Sequence, residues 1–225
     1  MHKAGIADEI RERIRRGGVF DRLVARQTAH IVIDLQIGFM GEGQVMEVPM
    51  ARTIVPNVNR ISAALRAAGG TVVFTQHTVD DEAIRTWPVF FEHFCGRKRR
   101  TSYIEAFTAG SQGHALWPEL DVAHEDLVIL KSRFGAFVPG SSDLHVRLQE
   151  RGIDTIIISG TLSHVCCDTT ARDAMMMNYK VFFITDANAT TTDAEHGATL
   201  TGLASAFCDV RDALSILGLI GSTPS

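Results

Sequence analysis

The chain has 225 residues, 45% of them hydrophobic, and a formal net charge of −4. That length supports one domain with a sizeable core and requires no second. The weakly acidic balance gives no reason to expect nucleic acid or an anionic membrane as partner, and no apolar run reaches the roughly 18 residues of a membrane helix.

The N-terminal stretch MHKAGIADEIRERIRRGG lacks the apolar segment of a signal peptide, and Asp8, Glu9 and Glu12 argue against a transit peptide. It reads as a helical extension over about 6–17, stopped by Gly17 and Gly18. Short apolar runs of strand length follow: HIVID (30–34), TVVFTQH (71–77), DLVILK (126–131), DTIIISG (154–160) and KVFFITD (180–186), with a weak strand near 206–210. These runs are continuously apolar, as strands buried on both faces of a parallel sheet are. Helical patterns lie between them. Segment 56–68 places Val58, Ile61, Leu65 and Ala68 at steps of three and four before Gly69. Segments 142–151, 164–178 and 193–205 come next, the last opened by a Thr192-x-x-Glu195 capping pattern. A helix near 210–217 ends the series. The alternation predicts an α/β fold of three α/β/α layers around a doubly wound, mostly parallel sheet of about six strands. One domain over 1–225 is expected, with residues 78–125 as an irregular insertion. Cys95, Cys166, Cys167 and Cys208 form no CxxC pair, which suits a cytoplasmic location.

Ligands of open parallel sheets bind outside the carboxyl ends of the strands. Asp34, His77 and Lys131 stand at three such ends, and SGTLSHVCCDTTARDA (159–174) follows the fourth. Ser163 is a suitable N-cap for the next helix. Both cysteines then fall in a first helical turn, where the helix dipole stabilises a thiolate and lowers its pKa below about 8.5. Adjacent helical residues point roughly 100° apart, so at most one cysteine faces the crevice. Spacing alone does not choose between them, and both could be small buried packing residues.

Three motifs, IVIDLQIGF (31–39), ILKSRFGAF (129–137) and GTLSHVCCDTTARDA (160–174), resemble those of the isochorismatase-like cysteine hydrolases, a superfamily with nicotinamidases, N-carbamoylsarcosine amidohydrolases and ureidoacrylate amidohydrolases. The resemblance runs from about residue 28 to 210. It implies a Rossmann-like fold with Cys166 as nucleophile, Asp34 as general base and Lys131 as the active-site lysine. It also implies a cis peptide between Thr161 and Leu162, and an oxyanion hole from the N–H groups of Leu162 and Cys166. Cys167 falls where the family usually has a small apolar residue. The implied activity is hydrolysis of a small non-peptide amide of ureido, N-carbamoyl or carboxamide type, through a thioester.

Departures from the family pattern narrow this. Nicotinamidases bind a metal through an Asp-x-His pair and a further His after the second strand. Here TQHTVDDEA offers His77 alone, so neither metal nor cofactor is expected. His164 and Gly135 stand where Asn and Ser are usual. Trp87, Phe90, Phe91 and Phe94 fall at i, i+3, i+4 and i+7, one helical face that packs on the core, packs on a second subunit, or lines a pocket. Trp87 and Phe91, together with Gln36, His77, Arg133 and His164, are candidate substrate contacts. The run RKRR (97–100) reads as a solvated face from which one arginine could clamp a carboxylate. The expected partners are a small-molecule amide and further copies of the chain, as a dimer or tetramer, with the aromatic segment and SILGLIG (215–221) as apolar faces. Besides an isochorismatase-type hydrolase of another bond, two readings compete: a catalytically silent small-molecule-binding member of the fold, and a redox protein using the vicinal cysteines. The second is disfavoured because adjacent cysteines close a strained ring.

Overall fold

The computed structural model describes residues 1–3, 5–14 and 20–222. The expected helix stop at Gly17 and Gly18 lies outside them. The described elements run α1 (Asp8–Ile14), β1 (Thr28–Ile33), α2 (Ile37–Met40), α3 (Pro49–Ala67), β2 (Thr71–His77), α4 (Asp81–Thr86), α5 (Arg100–Phe107), β3 (Leu127–Lys131), α6 (Leu144–Glu150), β4 (Thr155–Thr161), α7 (Asp168–Met176), β5 (Lys180–Ala189), α8 (Asp193–Ala206), β6 (Asp209–Arg211) and α9 (Ala213–Gly221). Two π-helical turns, Phe90–Phe94 and Ser163–Cys167, interrupt the series.

All six strands are parallel, in the order β3-β2-β1-β4-β5-β6. Alternate residues of one strand feed two cores. Val32 packs on the face shared with α3, α9 and the insertion. Ile31 and Ile33 pack on the other, with Leu144, Leu148, Ala171, Ala174, Leu200 and Leu203 from α6, α7 and α8. The chain reverses its winding direction between β1 and β4, and a crevice opens there at the strands' carboxyl ends. Gly160 permits the close approach. Its φ is +127°, and a Cβ would fall 2.1 Å from the Ile33 carbonyl oxygen.

Three features depart from the sequence reading. β3 is an edge strand, so Val128 and Leu130 are about half exposed although the run looked buried on both faces. α3 begins at Pro49 and runs through Pro56. The helix expected over 56–68 thus starts earlier, with Pro49 in its first turn, and one buried face from Ala51 through Ile54 and Val58 to Leu65 carries the helix across the second proline. SILGLIG is largely consumed by the chain's own core, since Ile216 and Ile220 are buried in the cluster that includes α3.

Candidate active site

Asp34 follows β1 with φ of 51°, a left-handed conformation that aspartate tolerates better than most residues. Its carboxylate is wholly buried. Thr75 of β2, also buried, accepts from the Asp34 N–H at 3.2 Å and donates to Oδ1 at 2.7 Å. Lys131 ends β3, and its chain reaches past the end of β2 to bring Nζ within 2.6 Å of Oδ2, with both side chains fully buried. The same ammonium donates to the carbonyls of Arg133 at 2.9 Å and Phe134 at 3.0 Å. Those two carbonyls take two of the ammonium's three hydrogens, and the close contact with Oδ2 is an ion pair. Burial lowers the lysine pKa, but the Asp34 carboxylate outweighs that and holds it above 10.5.

Cys166 completes the trio. The peptide between Thr161 and Leu162 is cis, and the nearby Leu162 N–H lowers the Cys166 pKa without offsetting the effect of burial. The cysteines lie in the π turn that precedes α7, so neither occupies the first turn of that helix. The turn is not capped by Ser163, whose hydroxyl instead pairs with His196 Nδ1 at 2.8 Å. The expected fall in thiol pKa is therefore reversed. Burial pushes Cys166 from 9.0 up to about 12; Lys131 opposes the rise and Asp34 adds to it. The resting site holds a neutral thiol beside a carboxylate. Cys167 is fully buried among the apolar residues under α6–α8, and burial raises its pKa further.

Cys166 opens onto a cavity of about 210 Å³. Phe39, Phe90, Phe94 and Phe134 supply much of its wall, His77 and Tyr103 border its interior, and Arg99, His164 and Glu195 also line it. Of the candidate contacts, the structure thus brings His77 and His164 to the cavity that Cys166 lines. The other four lie elsewhere. Gln36 is buried and clamps the main chain, accepting from the His77 N–H and donating to the carbonyls of His77 and His114. Arg133 stacks on Trp87, 5.1 Å from its centroid, and donates to Thr86. Trp87 and Phe91 pack behind the cavity wall, because α4 stops at Thr86 and the chain restarts in a π turn. That turn presents Phe90 and Phe94 instead. A larger groove of about 390 Å³ runs past Lys131 and Arg133 but excludes Cys166, which lines the smaller cavity.

Sequence reasoning missed Thr75 and Tyr103. It noted an arginine within RKRR without identifying Arg99, and the aromatic stripe without choosing Phe90 and Phe94. Asp80 is spent as the N-cap of α4, accepting from the Ala83 N–H at 2.7 Å. Among the described residues, no three or more His, Cys, Asp or Glu side chains converge as a metal cage.

A family model for the isochorismatase domain matches residues 28–214. The chain is 34% identical over 177 residues to a probable inactive nicotinamidase of Arabidopsis thaliana, covering 78% of this chain and 87% of the relative. It is 26% identical over 174 residues to a ureidoacrylate amidohydrolase of Klebsiella pneumoniae, covering 72% and 73%. The crystal structure of a cysteine hydrolase from Pseudomonas syringae superposes with a TM-score of 0.77 at 25% identity, covering 91% of this chain and 97% of that one.

Proposed function

The chain belongs to the isochorismatase family, and from that premise we propose that it is a cysteine-dependent hydrolase of an amide C–N bond in a small non-peptide substrate of ureido, N-carbamoyl or carboxamide type. The observation that carries the reading is the buried Asp34–Lys131 pair at 2.6 Å set beside Cys166, which lines a cavity of about 210 Å³. The ureidoacrylate amidohydrolase relative supports the amide class.

The geometry suits one sequence of steps. Because the thiol is neutral at rest, Asp34 Oδ2 takes its proton as the sulfur attacks the amide carbon, and no free thiolate accumulates. The oxyanion is received by the N–H groups of Leu162 and Cys166, which act most strongly in a site shielded from water. Protonated Asp34 then passes the proton to the leaving nitrogen, and the C–N bond breaks to leave a thioester on Cys166. Water, deprotonated by the same carboxylate, attacks the thioester, and the thiol is restored. Lys131 stays charged throughout and holds the carboxylate in place.

The test is ammonia or amine release from a panel of small amides and ureido acids by wild type, Cys166→Ala and Cys167→Ala. Loss in Cys166→Ala alone is expected. Loss in Cys167→Ala alone assigns the chemistry to the other sulfur. A second reading, a silent binding member of the fold, draws on the 34% identical relative whose name calls it inactive; binding without turnover by wild type would favour it.

A further inference from the structure

Two charged side chains that line the cavity take no part in the proposed steps at Cys166, and both are open to solvent. Of the run RKRR (97–100), only Arg99 lines the cavity. Its backbone is held at the head of α5, where its carbonyl accepts from the Tyr103 N–H at 2.8 Å. Its guanidinium is exposed and makes no hydrogen bond or ion pair among the described residues.

Glu195 comes from the first turn of α8. Its Oε2 is engaged: it accepts from the Thr191 hydroxyl and from the hydroxyl and N–H of Thr192. These donors hold its pKa below 4.5, so the carboxylate is charged at neutral pH. Oε1 accepts no hydrogen bond among the described residues. It stands 3.7 Å from His164 Nε2, on a side chain that is 39% exposed.

A lining with one cation and one anion discriminates against ligands of a single sign. A lone anion suits Arg99 but is opposed by Glu195, a lone cation the reverse, and an uncharged amide uses neither charge. A ligand bearing both charges meets both. The rest of the wall is largely apolar, with Phe39, Phe90 and Phe134 among its residues, which suits a short methylene stem. The volume of about 210 Å³ admits a small linear molecule.

We propose that Arg99 and Glu195 together select a zwitterionic substrate: an α-amino acid whose carboxylate meets the Arg99 guanidinium and whose ammonium meets Glu195 Oε1, while its side-chain carboxamide or ureido group reaches Cys166. The inference rests on the proposed amide hydrolysis for the group placed at the sulfur; the charge selection itself is read by binding.

Dissociation constants are measured by NMR titration of Cys166→Ala, so that turnover does not enter. One probe set is L-citrulline, 5-ureidopentanoate, 4-ureidobutylamine and butylurea, which removes the ammonium, the carboxylate or both. The other is L-glutamine, glutaramate, 4-aminobutanamide and butanamide, built the same way on a carboxamide. In at least one set the zwitterion should bind about fivefold tighter than either singly charged analogue, and about 25-fold tighter than the uncharged one. Adding Arg99→Gln should abolish the gain from the carboxylate alone. Adding Glu195→Gln should abolish the gain from the ammonium alone, and glutamine still completes the capping box, so the helix start is kept. The proposal is overturned if the uncharged or a singly charged analogue binds as tightly as the zwitterion in both sets, if the preference survives both substitutions, or if none of the eight binds. Wild-type turnover of the same compounds is scored separately. Charge-selective binding without hydrolysis would refute the hydrolase reading and leave the inference standing; hydrolysis of uncharged amides without charge preference would do the reverse.

Discussion

Lys131→Met removes the only charge within ion-pair distance of the Asp34 carboxylate among the described residues, while roughly conserving volume. Three interactions go at once: the 2.6 Å ion pair and the donations to the carbonyls of Arg133 and Phe134. With both partners fully buried, a stranded charge costs about 3–5 kcal/mol. At about 2–4 °C per kcal/mol for a chain of this size, the melting temperature should fall by roughly 6–20 °C. The second arm is Asp34→Asn/Lys131→Met. The asparagine side chain carries no charge and still offers an oxygen to Thr75, so the double variant should be more stable than Lys131→Met alone. Urea unfolding of wild type, both single variants and the double variant gives the coupling directly. A Lys131→Met protein within about 0.5 kcal/mol of wild type, or strictly additive effects around the cycle, would refute the argument that this buried pair holds the site together.

Thr75→Val removes the hydroxyl that both accepts from and donates to Asp34. Stability should drop by about 1.5–3 kcal/mol, and kcat should fall with KM little changed; a change in KM alone would mean that Thr75 touches substrate instead of orienting the base. The folded state binds more protons than the unfolded state at alkaline pH, because Cys166 is raised from 9.0 to about 12 and Lys131 is raised above 10.5. Stability should therefore decline as pH rises from 9 towards 12. Urea midpoints that rise over that window contradict the assignment, and Cys166→Ala should soften the decline. Gly160→Ala meets both a φ of +127° and a 2.1 Å approach to the Ile33 oxygen; a loss beyond about 4 kcal/mol is expected, read as failure to recover folded protein, and a well-folded variant would show that β1 and β4 can part.

Asp34 and Lys131 could be read from the sequence because each is a charged residue closing an apolar run, and in a parallel sheet such ends converge. The choice of Cys166 over Cys167 came from resemblance, since helical spacing leaves it open; the π turn that sets their directions has no sequence signature. Thr75 was invisible because a threonine inside TVVFTQH is ordinary for a strand, and only the register beside β1 gives its hydroxyl a task. Tyr103 lies in the insertion, where aromatic packing rather than a regular hydrophobic period determines the chain path. The aromatic stripe was read with an α-helical period. The break after Thr86 and the wider turn that follows move Phe90 and Phe94 to the cavity and leave Trp87 and Phe91 behind it. The thiol pKa was misjudged because helix position was weighed and burial was not.

In the proposed reaction, acyl transfer passes through the sulfur of Cys166. With a turned-over amide in hand, the reaction is quenched in acid within its first turnovers, and the peptide containing residues 159–174 is fragmented by mass spectrometry. A transient acyl adduct on Cys166 is expected, absent in Cys166→Ala and lost on standing with water. An adduct on Cys167, or steady turnover with no acyl group on either sulfur, contradicts it.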